Sequence, residues 1–179
     1  AAGRLLFDGS SDLSARAGEA SKGELLLDPL NVVVRALNTD DAELPDLLFA
    51  EAAGLDWYVS AAALIASLDG SNVVLEATND ITIDADIISN AGAAGFGLTL
   101  NAGNDIIVNN QILTKSTLQL IATNTVFINA KLMSKSLTAT ASNGIVIAAD
   151  LTSTLGDLTL EGDAGATFSL PWALDFQSG

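Results

Sequence analysis

The chain of 179 residues contains no cysteine and no histidine. Their joint absence excludes disulfides, thiol nucleophiles, zinc sites of the usual kind, and Ser-His and Cys-His catalytic arrangements. Aromatics are scarce at 5% while 49% of the residues are hydrophobic, so the core has to be built from Ile, Val, Leu and Ala. Such small, branched side chains suit stacked strands around a narrow interior. Cations are scarce too: seven Lys and Arg stand against 22 Asp and Glu, a formal net charge of −15. A field of that sign repels phosphate backbones and anionic head groups, which argues against nucleic acid and membrane surfaces as partners. No stretch reaches about 18 uninterrupted apolar residues, so no membrane insertion is expected. Ala1-Ala2-Gly3-Arg4 opens no charged segment leading into an apolar run, and the chain starts without Met in mid-pattern. The expectation is a piece of something longer with no export signal of its own.

What is present is a recurring phrase, Ala-x-Asn-x-hydrophobic-x-hydrophobic. It runs over residues 77–83, 102–108, 122–128 and 141–147, with a degraded copy from Gly162. The leading positions 77, 102, 122, 141 and 162 are 25, 20, 19 and 21 residues apart. Periods of this length belong to a solenoid turn and are too short for a domain. Within each unit apolar residues alternate, and turns form at Gly, Asn and Ser. Parallel stacking then predicts columns: Ile81, Ile106, Val126 and Ile145; Ile83, Val108, Ile128, Ile147 and Phe168; Ile87, Ile112, Leu132 and Leu151.

Asn79, Asn104, Asn124 and Asn143 form a column of their own at the corner between two short strands. Asn tolerates left-handed backbone there and bonds to the backbone, and stacked on its like it forms an amide ladder. Gly103, Gly144 and Gly165 fit the same corner.

Four segments follow. Residues 1–38 carry weaker alternation at Leu5-Leu6-Phe7, Leu13, Leu25-Leu26-Leu27 and Val32-Val33-Val34, read as amino-terminal rungs. Residues 39–69 break the pattern: Pro45 opens a short helix over 47–53, Ser60 caps a second over 61–68, and Trp57 and Tyr58 lie between them. This is read as a helical and loop excursion packed on the side or edge of the stack, with Phe49, Trp57 and Tyr58 covering apolar surface. Residues 70–170 hold the repeats, and 171–179 form a tail.

The stretch Lys22-Gly23-Glu24-Leu25-Leu26-Leu27-Asp28-Pro29-Leu30-Asn31-Val32-Val33-Val34 resembles a signature of large secreted exoproteins of the filamentous haemagglutinin type, the passengers of two-partner secretion. In that family a glycine-led apolar strand, an Asp-Pro and an Asn-hydrophobic strand are followed by a helix similar to 60–68. A unit like Gly70-Ser71-Asn72-Val73 through Asn79-Asp80-Ile81 comes next. The resemblance runs from about residue 23 to residue 160. It implies an all-β fold, a right-handed parallel β-helix (solenoid) with a short helical excursion, exported by a dedicated outer-membrane transporter. It also implies a secreted, extracellular product at the cell surface, acting as adhesin, scaffold or stalk.

With His and Cys gone, paired carboxylates are the remaining catalytic option. Asp80, Asp84 and Asp86 are expected on alternate positions of one strand, facing outward, with Asp105 one rung along from Asp80. Neighbouring rungs supply the separation of about 5 to 10 Å that glycoside hydrolysis needs. Outward Asp beside a strand also serves solvation and edge protection, which is the reading adopted. Lys115, Lys131 and Lys135 read as charges that keep neighbouring rods from pairing. Gly103-Asn104-Asp105-Ile106 resembles a fragment of a nonapeptide calcium roll, but the nonapeptide does not repeat. Thr78, Thr82, Thr99, Thr114, Thr117 and Thr123 form no strict Thr-x-Thr stack.

The reading is therefore a structural or adhesive shaft segment of a large secreted bacterial surface exoprotein, with no catalytic, cofactor-binding or metal-binding residues. Partners are other segments of the same exoprotein, copies associating end to end or laterally, and surface glycans or proteins. The alternative is a carbohydrate-binding or carbohydrate-active β-helix using outward Asp and the aromatics.

Overall fold

The computed structural model describes residues 24–27, 30–36, 56–68, 70–89 and 96–162. Strands β1 (Glu24–Leu27) and β2 (Asn31–Arg35) come first. Strand β3 (Asp56–Ser60) then runs directly into the helix α1 (Ala61–Leu68). From there each coil of chain contributes three strands in turn. The first coil is β4 (Asn72–Ala77), β5 (Ile81–Ile83) and β6 (Ile87–Ile88), and the second is β7 (Leu98–Ala102), β8 (Ile106–Val108) and β9 (Ile112–Leu113). The third is β10 (Thr117–Ala122), β11 (Thr125–Ile128) and β12 (Leu132–Ser134). The fourth is β13 (Ser136–Ala141), β14 (Gly144–Ile147) and β15 (Leu151–Ser153), and β16 (Leu158–Gly162) begins a fifth.

These strands form three parallel sheets. The first runs β1-β4-β7-β10-β13-β16, the second β14-β11-β8-β5-β2-β3, and the third β15-β12-β9-β6. Strands so short hold together because alternate residues face a common interior. In β4, Val73, Leu75 and Ala77 are buried while Asn72, Val74 and Glu76 are half-buried.

The registers place like on like. In the second sheet Val32, Ile81, Ile106, Val126 and Ile145 share a column, and so do Val34, Ile83, Val108, Ile128 and Ile147. In the third, Ile87, Ile112, Leu132 and Leu151 do the same. Nearly all are fully buried, each contributing about 1.5–3 kcal/mol of apolar transfer. Phe168, expected in the second of these columns, lies outside the described residues.

Alanine marks the corner from the first sheet to the second. Ala77, Ala102, Ala122 and Ala141 stack in register and are at most 5% exposed. The corner is hydrogen-bonded from rung to rung, with the Asn104 amide on the Asn79 carbonyl at 2.8 Å, Asn124 on Asn104 at 2.9 Å and Asn143 on Asn124 at 2.8 Å. Every Asn here keeps negative φ, so the expected left-handed geometry is not what selects asparagine. Gly144 alone among the described residues takes a left-handed φ, 135°. Gly103 is required for a different reason: a Cβ there would stand 2.0 Å from the Thr78 carbonyl oxygen.

Ser60 caps α1 by accepting the Ala63 amide at 3.1 Å. Eight residues are too few to hold a helix alone, and packing does the rest. Ala61, Leu64 and Leu68 are buried, and α1 packs against β3, β4 and β6. It thus lies at the end of the third sheet, beside its edge strand β6. Trp57 and Tyr58 differ from expectation: they form a strand, not a connection between helices. The reason is that Asp56–Ser60 alternates, burying Trp57 and turning Tyr58 out, and finds β2 as a parallel neighbour. The helix expected over 47–53, Phe49, Gly165, the rungs expected near residues 5–13 and the tail 171–179 lie outside the described residues. Among the described residues no helix is long and apolar enough to cross a membrane.

Candidate functional site

The corner between the first and second sheets gathers the asparagines singled out above, and it does so by a repeated rule. On each rung one side-chain oxygen accepts two donors from the next rung. Asn31 Oδ1 takes the Asn79 amide group at 2.9 Å and the Asp80 N–H at 3.0 Å. Asp80 Oδ1 takes Asn104 at 2.7 Å and the Asp105 N–H at 3.0 Å. Asp105 Oδ1 takes Asn124 at 2.7 Å and the Thr125 N–H at 3.0 Å. At the last step, as at the first, Asn meets Asn, the Asn143 amide donating to Asn124 Oδ1. The four predicted asparagines are therefore stacked through their backbones, but their side chains are bridged mainly by aspartate. Sequence reasoning missed Asn31 and the bridging role of Asp80 and Asp105; the Asn-Asp pairs at 79–80 and 104–105 were the signal.

Asp84 and Asp86 are not on one strand with Asp80. Asp80 precedes β5, Asp84 follows it, and Asp86 sits in the turn before β6. Inward residues Ile81, Ile83 and Ala85 separate them, so the acids do point outward. Each is held by amides of the next rung. Asn109 donates to Asp84 at 2.9 Å, and Asn110 and Gln111 donate to Asp86 at 3.1 and 2.9 Å. Those bonds, Gln111 first, hold the Asp86 carboxyl below its ordinary range. Carboxylates satisfied in this way are solvated by the protein itself. Among the described residues no group of three or more acids converges as a metal site would require.

The other predicted residues scatter. Lys115, Lys131 and Lys135 are exposed. Thr82 faces outward on the second sheet, Thr99 and Thr117 on the first, while Thr114 is buried. The outer face of the first sheet carries a shallow groove of about 270 Å³, lined by Asn72, Thr99, Thr117, Gln119, Ser136 and Thr138 among others. Its lining bears no charge.

The second sheet turns a different face outward. Ile107, Phe127 and Val146 occupy the central outward position of β8, β11 and β14. The uninterrupted triplets Ile106-Ile107-Val108, Val126-Phe127-Ile128 and Ile145-Val146-Ile147 were the signal for this stripe, because strict alternation would put a polar residue in the middle. Beyond it lie Thr82, Val33 and Tyr58, and the Arg35 guanidinium sits 3.2 Å from the centre of the Tyr58 ring. Sugar stacking needs a bare aromatic face, whereas Tyr58 is covered on that side and Trp57 is buried. No family model, no curated relative and no solved structure matches the chain.

Proposed function

We propose that the chain is a segment of right-handed parallel β-helix, a solenoid, serving as a structural or adhesive shaft in a large secreted bacterial surface exoprotein of the filamentous haemagglutinin type. In this reading the segment is non-enzymatic and reaches the cell surface by two-partner secretion. The observation that carries it is the unbroken rung-to-rung bonding of the Asn and Asp corner, from Asn31 to Asn143. Each coil is tied to the next by backbone and side chain at once. A stack with nearest-neighbour ties resists bending without ordering any loop on use. The outward carboxylates Asp80, Asp84, Asp86 and Asp105 support the same reading, because each accepts amides of the next rung and so adds to the ties between coils.

An antibody raised against the folded chain should decorate thin filaments on intact cells that make the parent protein. Labelling confined to permeabilised cells would overturn the surface role. Strong turnover of polysaccharide by the purified chain would overturn the non-enzymatic one.

A further inference from the structure

The outward face of the second sheet is largely apolar along its middle, acidic along one side and mixed in charge along the other. Registers place Tyr58, Val33, Thr82, Ile107, Phe127 and Val146 in one row across six strands. Tyr58 is 42% exposed and the other five are half-buried, so the row is open to a partner. Two residues to one side stand Asp56, Asp80 and Asp105; two residues to the other stand Asp84 and Arg35. Four carboxylates thus flank the row against one guanidinium, which is itself laid over Tyr58.

We propose that this face docks an amphipathic helix of a protein partner, apolar along one side, with Lys or Arg along the flank facing Asp56, Asp80 and Asp105 and a single one facing Asp84. The inference stands apart from the shaft reading, since it is drawn from one face of the stack whatever chain carries it. The dimensions fit. Six strands about 4.8 Å apart make a row of about 24 Å, the length of a helix of about 16 residues. The acidic column of Asp56, Asp80 and Asp105 lies about 7 Å to one side and Asp84 about 7 Å to the other, two residues along a strand, within reach of Lys or Arg flanking a helical stripe.

On the face itself no strand is free to pair, because β2, β5, β8 and β11 each have neighbours on both sides and only the outer edges of β3 and β14 lack one among the described residues. Docking must therefore use side chains. Asp84 is already fixed by Asn109, and Asp80 and Asp105 by their amide donors, so binding immobilises little on this side. A second copy is disfavoured, since it would set four carboxylates against four across the same apolar row, on chains of charge −15.

The test uses the intact chain and a fluorescein-labelled 16-residue helical peptide with a Leu stripe flanked by Lys. Controls are a scrambled peptide of the same composition and one with Glu in place of Lys. Anisotropy should show binding at least tenfold tighter than the scrambled peptide, and none with the Glu peptide. The double variant Ile107→Ser, Phe127→Ser should lose at least tenfold in affinity. Asp84→Asn, which keeps its hydrogen-bond acceptor, should lose a few-fold and flatten the salt dependence. Should the double variant not fold, amide shift changes in the wild-type chain decide: they should cluster on β5, β8, β11 and β14. Equal binding of the scrambled peptide, or changes spread over the first and third sheets, would overturn the proposal. So would a wild-type dimer in sedimentation that the double variant abolishes, because the face would then be covered by a second copy.

Discussion

Asn104 and Asp80 meet across one rung, the Asn104 side-chain amide 2.7 Å from the Asp80 carboxylate oxygen that also receives the Asp105 N–H at 3.0 Å. One oxygen thus ties two coils together through both side chain and backbone. Asp80→Ala would strip both donors of their acceptor in a half-buried corner. The expected loss is about 2 kcal/mol in urea unfolding, against less than about 1 kcal/mol for Asp80→Asn, which keeps an oxygen in place. Equal losses for the two variants would mean the corner does not depend on that acceptor.

Ile106 stands fully buried between Ile81 and Val126. Ile106→Ala should cost about 2–5 kcal/mol by leaving a cavity that flat neighbouring rungs cannot close. Ile106→Asp should unfold the chain, because an unpaired charge in that column has no water and no partner. Melting temperature by circular dichroism reads both, and an unchanged value for the Asp variant would reject this register.

Gly103 and Gly70 make a matched pair. An added Cβ at Gly103 meets the Thr78 carbonyl, a backbone atom held in the corner, while one at Gly70 meets nothing within 4 Å. Gly103→Ala should therefore cost about 1–3 kcal/mol as overpacking. Gly70→Ala should leave the melting temperature within about 1 °C, corresponding to a few tenths of a kcal/mol at most.

Ser116 and Ser134 are both buried serines, at 2% and 0% exposure, with opposite circumstances. Ser134 Oγ donates to the Ser136 carbonyl at 2.9 Å, whereas Ser116 Oγ is buried without a hydrogen-bond partner. Ser134→Ala should cost about 1 kcal/mol, and Ser116→Ala should be neutral or stabilising. Chemical denaturation of the two variants side by side gives the sign.

Asp86 predicts a pH effect confined to acid. Its folded carboxyl titrates below the ordinary value of 3.8, chiefly because Gln111 donates to the ionised form. A depressed acid adds stability that is present above 3.8 and lost as pH falls through the folded value. Carbon-detected NMR titration should place Asp86 below 3.8. Gln111→Ala should move it up, and no movement would assign the depression to another cause.

The inward columns are legible in the sequence because period-2 alternation and a repeat near 20 residues together leave one register that buries Ile81, Ile83, Ile87, Ile106, Ile112, Ile128, Ile145 and Ile147. The asparagine column is legible for the same reason, but its chemistry is not. Asn79-Asp80 and Asn104-Asp105 each offer two side chains that could bridge to the next rung, and only three-dimensional spacing selects the carboxylate. The place of β3 is hidden for a different reason. Val32-Val33-Val34 and Trp57-Tyr58-Val59 are both suitable strands, and nothing local to either says which one lies outermost. The outward apolar row was readable in Ile107, Phe127 and Val146, yet a run of three apolar residues is equally the mark of a strand buried on both faces.

The order of the second sheet has a consequence for a chain that emerges amino end first. Neither neighbour of β2 precedes it: β3 lies 21 residues further on and β5 later still. Asn31–Arg35 must wait for its partners to be synthesised, and of the described strands at that extremity the outer one is the more recently arrived of the two. Among the described residues, growth of the stack there runs backwards relative to the direction of translation, whereas at the opposite extremity each later coil lies beyond the earlier one.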